Sequence, residues 1–467
     1  MTLRVVLAAA LLVALPRLAE AHGLLQRSVP ARDARLAVAP RELRLTFNER
    51  VELAVAQLVL VGPDAREVPL GPLHHAGDSV RTLVADVLGP LVAGAYTVRW
   101  RTAGADGHPV NGEFGFVIER GAAGLAPPAA PVAGTPPAPA PLPAPSPTSA
   151  GDERFSAESP AYVLVRWVSL LALVVLAGAA AFALLVLPRA AITDTVRARA
   201  AARARGLALL AAALLLAAAD GRLLAQALAL QGGSIDAART GAMLAGTTWG
   251  QAWLLQVTGV VVVLLALLLV ARRSGWHMAA IGIVAAALGS ALSGHAAAAG
   301  RVAPLAVGAD ALHALGAGGW LGTLLVLLVA GIPAARAEHD EGKALAALVR
   351  AFSPVALGCA AVVGASGLIA ATLHLGGISE LWTSAYGRTL LVKLLCLGVV
   401  LAAGALNWRR VRPALGQGPH AAARLRRSAT VELVAGAAVL AVTAVLVALP
   451  PPAEEAAAVA VREAERR

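Results

Sequence analysis

Leu43-Arg44-Leu45-Thr46-Phe47 alternates apolar and polar side chains. A period of two is that of a strand with one buried face. The alternation returns at Leu58 and Leu60, at Tyr96, Val98 and Trp100, and at Phe114, Phe116 and Ile118. Turn signals separate these runs: Gly62-Pro63-Asp64, Gly71-Pro72, Gly89-Pro90 and Asp106-Gly107. Short strands at this spacing predict a β-sandwich over residues 22 to about 120.

Upstream of the sandwich, Arg4, the apolar run from Val5 to Pro16 and the small-x-small triplet Ala19-Glu20-Ala21 read as a signal peptide, residues 1–21. Cleavage after Ala21 leaves His22 as the mature N-terminus, where a free amine and an imidazole nitrogen can chelate one metal ion. Nitrogen-and-oxygen sites of square geometry favour Cu(II). If cleavage falls elsewhere, His22 is only an exposed polar residue. Downstream, residues 121–159 are dominated by Pro and Ala without periodicity, which predicts an extended, semi-rigid linker.

From about residue 160 the chain reads as membrane. It has 467 residues, is 58% hydrophobic and has a mean hydropathy of +0.72. Spans are expected near 161–187, 206–230, 250–271, 276–293, 305–331, 350–373, 388–408 and 429–449, most of them long enough for a hydrocarbon core of about 30 Å. The net charge of +11 does not imply nucleic acid, because the arginines cluster between apolar runs. With an exported β domain, the inner loops hold Arg197, Arg199, Arg203 and Arg205; Arg272 and Arg273; Arg336 and Lys343; and Arg409, Arg410, Arg412, Arg424, Arg426 and Arg427. This bias fits eight spans with both ends outside. Residues 450–467 form an acidic-basic tail. Cys359 and Cys396 lie inside apolar runs, so there is no disulfide framework. Only Met243 and Met278 remain after the signal, so a methionine-rich Cu(I) ladder is absent.

Asp106-Gly107-His108-Pro109-Val110 is the soluble constellation. Asp106 and His108, two apart on an extended segment, point to the same side. One carboxylate and one imidazole can complete a site begun by His22. Alone, the pentapeptide also reads as a polar loop between strands. His22, the stretch Phe47-Asn48-Glu49-Arg50-Val51-Glu52, and Asp106 to Gly112 followed by Phe114 and Phe116 resemble the CopC copper-binding family. The resemblance covers about 22–119 and implies a cupredoxin-like (Ig-like Greek-key) β-barrel that binds Cu(II) in the periplasm. It implies the His22 amine and ring, Asp106 and His108 as ligands, with Glu49 supporting them. The Met-rich Cu(I) loop of some members is missing. His74 and His75 read as solvated loop residues.

Three histidines matter in the membrane: His295 and His374 at the outer ends of spans four and six, and His313 in span five. Asp310 and His313 share a helix face, and ionisable groups at lipid depth suggest function. Gly316, Gly318 and Gly319 allow close helix approach. Asp220 and Arg222 are expected to pair, and the cysteines to pack. Alone, His295 and His374 read as interfacial loop residues. Ser293-Gly294-His295-Ala296, Asp310-Ala311-Leu312-His313 with Gly319-Trp320-Leu321-Gly322, and Arg388 to Lys393 are similar to the CopD inner-membrane copper-resistance family over about 160–449.

The expected protein is therefore β plus membrane α: a β-barrel/sandwich, a linker and an eight-helix transmembrane bundle. Its expected role is to bind copper in the periplasm and import it across the inner membrane, contributing to copper homeostasis and resistance, with His295, Asp310, His313 and His374 as the path. Copper would be Cu(II) in the β domain and Cu(I) or Cu(II) in the membrane. Expected partners are copper, the bilayer, and periplasmic copper chaperones or other copper-resistance proteins. A haem-binding electron carrier or metalloreductase, and sequestration or sensing without transport, are the alternatives. An oxygen-activating enzyme is disfavoured because Asp106 would fill a coordination position that such chemistry needs open. The sequence has no Walker A pattern.

Overall fold

The structure is a computed structural model that describes residues 25–120, 159–231, 233–270, 273–336, 341–375, 377–411, 421–449 and 452. His22, the signal peptide, nearly all of the Pro/Ala linker and, Pro452 aside, the C-terminal tail lie outside the described residues.

Among the described residues, nine strands form the β domain: β1 (Leu25–Val29), β2 (Arg35–Leu36), β3 (Glu42–Phe47), β4 (Gln57–Val61), β5 (Glu67–Val68), β6 (His74–Ala76), β7 (Ser79–Asp86), β8 (Gly94–Ala103) and β9 (Pro109–Ile118). One sheet has the order β1-β3-β7-β6, the other β2-β9-β8-β4-β5. β8 and β9 are antiparallel from Gly94↔Ile118 to Ala103↔Pro109, while β2 joins β9 in parallel. The alternation read from the sequence is the burial pattern. Leu43, Leu45 and Phe47 are buried with Leu60, Leu83, Val98, Phe114 and Phe116 between the sheets. Tyr96 and Phe116 stack at 5.3 Å, and Phe47 meets Trp100 edge-on at 6.5 Å. The Tyr96 hydroxyl donates to Val92 O at 2.9 Å and accepts Val92 N–H at 2.8 Å, which pins the entry to β8. Burial pushes the Tyr96 hydroxyl above its ordinary pKa. His74 and His75 are not in a turn: they pair as β6 with Val84 and Leu83 of β7, so the sheet ladder holds their backbone.

Among the described residues, eight helices are long and apolar enough to cross a membrane. They are α1 (Pro160–Arg189), α2 (Asp194–Gln231), α4 (Thr248–Leu269), α5 (Arg273–Leu292), α6 (Gly300–Ala335), α7 (Gly342–His374), α8 (Ala385–Arg409) and α9 (Ala423–Leu446). A short helix, α3 (Ala237–Gly246), lies between α2 and α4. Each expected span corresponds to one of these helices. The main difference is at α2, which starts twelve residues before the expected apolar span. Arg197, Arg199, Arg203 and Arg205 are thus helical and not in a loop. Ala and Arg are strong helix formers, and the Arg197 guanidinium donates to the carbonyls of Leu187 and Ala190 at the end of α1, which a helix leaves unpaired. The α1–α6 crossing is backbone on backbone: a Cβ at Gly178 would stand 2.1 Å from the carbonyl carbon of Gly322. α6 contains two π-helical turns, Gly318–Gly322 and Leu327–Gly331.

The chain divides into two compact units. One holds the β domain together with Ala225–Thr248; the other holds Pro160–Leu224 and the helices from Trp249 onward.

Candidate metal centre

Asp106 and His108 sit in the loop between β8 and β9. The extended geometry expected from the sequence is absent. Gly107 N–H donates to Gly104 O at 2.9 Å and Gly104 N–H to His108 O at 3.1 Å, closing a turn. Gly107 has φ +83°, a conformation that favours glycine. Asp106 Oδ1 accepts His108 N–H at 3.0 Å, an Asx-type turn, and Asp106 Oδ2 lies 3.5 Å from His108 Nδ1. The two side chains therefore do come together, by the turn and not by strand pleat. Their side chains are 5% and 14% exposed, so the pair is held in a shielded place.

Glu49 reaches the same loop. A Cβ built at Gly104 would lie 3.0 Å from Glu49 Oε2 and 3.1 Å from Asp106 Oδ1, so the two carboxylates flank Gly104. Val51 bridges to Gly104, and Glu52 N–H donates to Ala103 O at 2.8 Å, which carries the Glu49 segment along the loop. An imidazole suits Cu, Zn, Fe or Ni and a carboxylate suits harder ions, so Asp106 and His108 with Glu49 nearby form a partial nitrogen-and-oxygen donor set. Among the described residues, no three His, Cys, Asp or Glu side chains are grouped closely enough to hold a metal ion.

In the membrane unit, His313 Nδ1 on α6 and Ser366 Oγ on α7 are 3.2 Å apart. A Cβ at Gly367 would be 3.1 Å from His313 Cε1, so the glycine makes room for the ring. His295, in a turn after α5, places Nε2 3.0 Å from Val447 O. The His374 ring stands 6.2 Å from that of Tyr386 on α8. Asp310 lies within electrostatic reach of Lys393 and His295, His313 within reach of Lys393, and His374 within reach of His295. The four expected residues thus occupy one neighbourhood with Lys393 and Tyr386.

One expectation from the sequence is changed. The side chain of Arg222 bonds Gln256 Oε1 at 3.1 Å and Ser293 Oγ at 2.6 Å, and lies over the Trp249 ring, rather than pairing with Asp220. Glu432 on α9 was not singled out from the sequence. It is 4% exposed and accepts Trp320 Nε1–H from α6 at 3.2 Å and Asn407 Nδ2–H from α8 at 3.0 Å. Its signal was a lone carboxylate in the apolar run Val431-Glu432-Leu433.

Residues 25–119 match the model of the CopC domain. Residues 156–303 match the copper resistance protein D-like N-terminal domain, and 346–446 match copper resistance protein D. The chain is 32% identical over 107 residues to copper resistance protein C of Escherichia coli, covering 22% of this chain and 84% of that one. It is 27% identical over 460 residues to copper transport protein CutJ of Bacillus subtilis (strain 168), covering 95% of this chain and 77% of that one. The crystal structure of PcoC, a methionine rich copper resistance protein from Escherichia coli, aligns at 29% identity and a TM-score of 0.20, covering 21% of this chain and 100% of that one.

A β-sandwich with a carboxylate–imidazole loop, joined to eight apolar helices, is the class of a multi-pass membrane protein with a CopC domain. The chain belongs to the copper resistance families C and D, as a CopC–CopD fusion.

Proposed function

We propose that this protein captures Cu(II) outside the inner membrane and imports copper across it. The observation that carries the reading is the Asp106–His108 turn with the Glu49 carboxylate beside it. The His22 amine and ring, Asp106 and His108 are the ligands, and Glu49 adds charge behind them. The signal peptide is removed, and the Pro/Ala linker keeps the β domain near the bilayer, raising its effective concentration there. Copper then passes to His295, Asp310, His313 and His374. That these four share one neighbourhood supports a path along α6 and α7 beside the turn that follows α5.

The test is a Cu(II) titration of the purified chain followed by electron paramagnetic resonance. His22→Ala, or one residue added before His22, should weaken binding by at least about 100-fold. An unchanged titration removes the chelate. Transport is checked separately: cells carrying the protein should accumulate more copper than cells without it, and His313→Ala should cancel the difference. Equal accumulation in all three removes the import reading.

A further inference from the structure

The backbone carbonyl between Asp106 and His108 is itself held. Gln226, near the C-terminal end of α2, is buried, and its side-chain amide donates to Gly107 O. On the other flank of the loop, the buried Glu52 carboxylate accepts the backbone N–H of Thr248, the first residue of α4, at 3.2 Å. A carboxylate at a helix N-terminus satisfies a donor that the helix leaves unpaired. Glu52 is tied to the strand that feeds the loop: its N–H meets Ala103 O at 2.8 Å and its carbonyl accepts Thr102 Oγ1–H at 3.4 Å.

The segment between these two contacts is internally braced. Gln231 Nε2–H donates to Thr240 Oγ1 at 3.0 Å, Gln231 Oε1 accepts Asp236 N–H at 2.6 Å, and Asp236 caps α3 through Arg239 N–H at 2.8 Å. Gly246 lies against the β domain, where an added Cβ would stand 2.6 Å from Ala54 Cβ. Ala225–Thr248 and the sandwich accordingly form one compact unit.

We propose that the 225–248 hairpin is a clamp on the metal loop, in which Gln226 and Glu52 tie the spacing of Asp106 and His108 to the ends of α2 and α4. Gln226 is a positioning residue: it fixes Gly107, whose φ of +83° sets the turn on which both side chains stand. Without the amide, the buried Gly107 carbonyl loses its donor and the turn relaxes. Coupling of this kind is reciprocal, so copper in the loop steadies the hairpin as much as the hairpin steadies the loop. The proposal rests on Asp106 and His108 being copper ligands.

The experiment uses the full chain in lipid nanodiscs, with Gln226→Met, which keeps the shape and removes the donor, and Glu52→Ala beside Glu52→Gln, which keeps an acceptor. Copper-free hydrogen exchange over residues 102–109 should quicken about fivefold in Gln226→Met and Glu52→Ala and stay near wild type in Glu52→Gln. Copper release to a chelator should quicken by a similar factor, with a changed Cu(II) resonance in Gln226→Met. Cu(II) added to the wild type should slow exchange over 225–248, and this protection should vanish in Gln226→Met. Equal loop exchange in wild type and Gln226→Met overturns the clamp, as does a copper release rate that the substitution leaves unchanged. A wild type that binds no Cu(II) at this loop would sink the ligand assignment instead, and the copper-free exchange would still decide whether Gln226 holds the loop.

Discussion

Gly107 is the residue on which the loop turns. Because its φ is +83°, Gly107→Ala should cost about 1–2 kcal/mol and spread the Asp106–His108 pair. Chemical denaturation followed at Trp100, together with Cu(II) resonance, would measure both effects. The pairing of Asp106 with His108 was legible in the sequence, but its cause was not: pleat alternation was assumed where an Asx turn operates. That turn depends on a backbone hydrogen bond, which residue spacing alone does not announce. Tyr96 gives a pH prediction. Burial raises its pKa, so the fold favours the neutral phenol. The stability it contributes is complete below the ordinary phenol value of about 10 and is lost as pH rises through the raised one. Tyr96→Phe should cost about 1 kcal/mol at neutral pH and should reduce the alkaline loss of stability over residues 94–103, read by hydrogen exchange.

At the scale of elements, the strands and spans were the most legible features. A period of two gave the sandwich, and long apolar runs gave all eight helices. What the runs could not give was contact between helices. The α1–α6 crossing needs glycine on both sides, so Gly178→Val should drive the backbones apart and lower stability by the upper end of about 1–3 kcal/mol or more. A fall in the detergent melting temperature would register it, and an unchanged melt would remove the crossing. Glu432 joins α6, α8 and α9 through Trp320 and Asn407. Glu432→Leu leaves both donors buried without an acceptor and should destabilise by about 1–3 kcal/mol for each. Glu432→Gln, which retains one acceptor, should cost less.

For the whole molecule, the charge bias and the eight helices predict both termini outside. In a background lacking Cys359 and Cys396, a cysteine at Ser234 should react with a membrane-impermeant thiol reagent on spheroplasts, and a cysteine at Ile192 should not. The reverse pattern would invert the protein in the membrane. The division of the chain into a β domain and a membrane bundle was readable from composition. The assignment of residues 225–248 to the β-domain unit was not, since it comes from the packing of α3 against the Leu53–Val55 turn, which no periodicity encodes.

The π-helical turn at Gly318–Gly322 also fixes the angular phase of α6. Such a turn has the form of a single-residue insertion into a regular helix. Deleting one residue there would restore the regular helix and leave later side chains near their present bearing, whereas an extra residue carried without such a turn would swing them by about 100° about the axis. Asp310 and His313 before the turn and the stretch beyond Leu327 after it thus hold a common bearing, and the turn acts as an expansion joint that lets one helix carry an extra residue without misaligning its two halves.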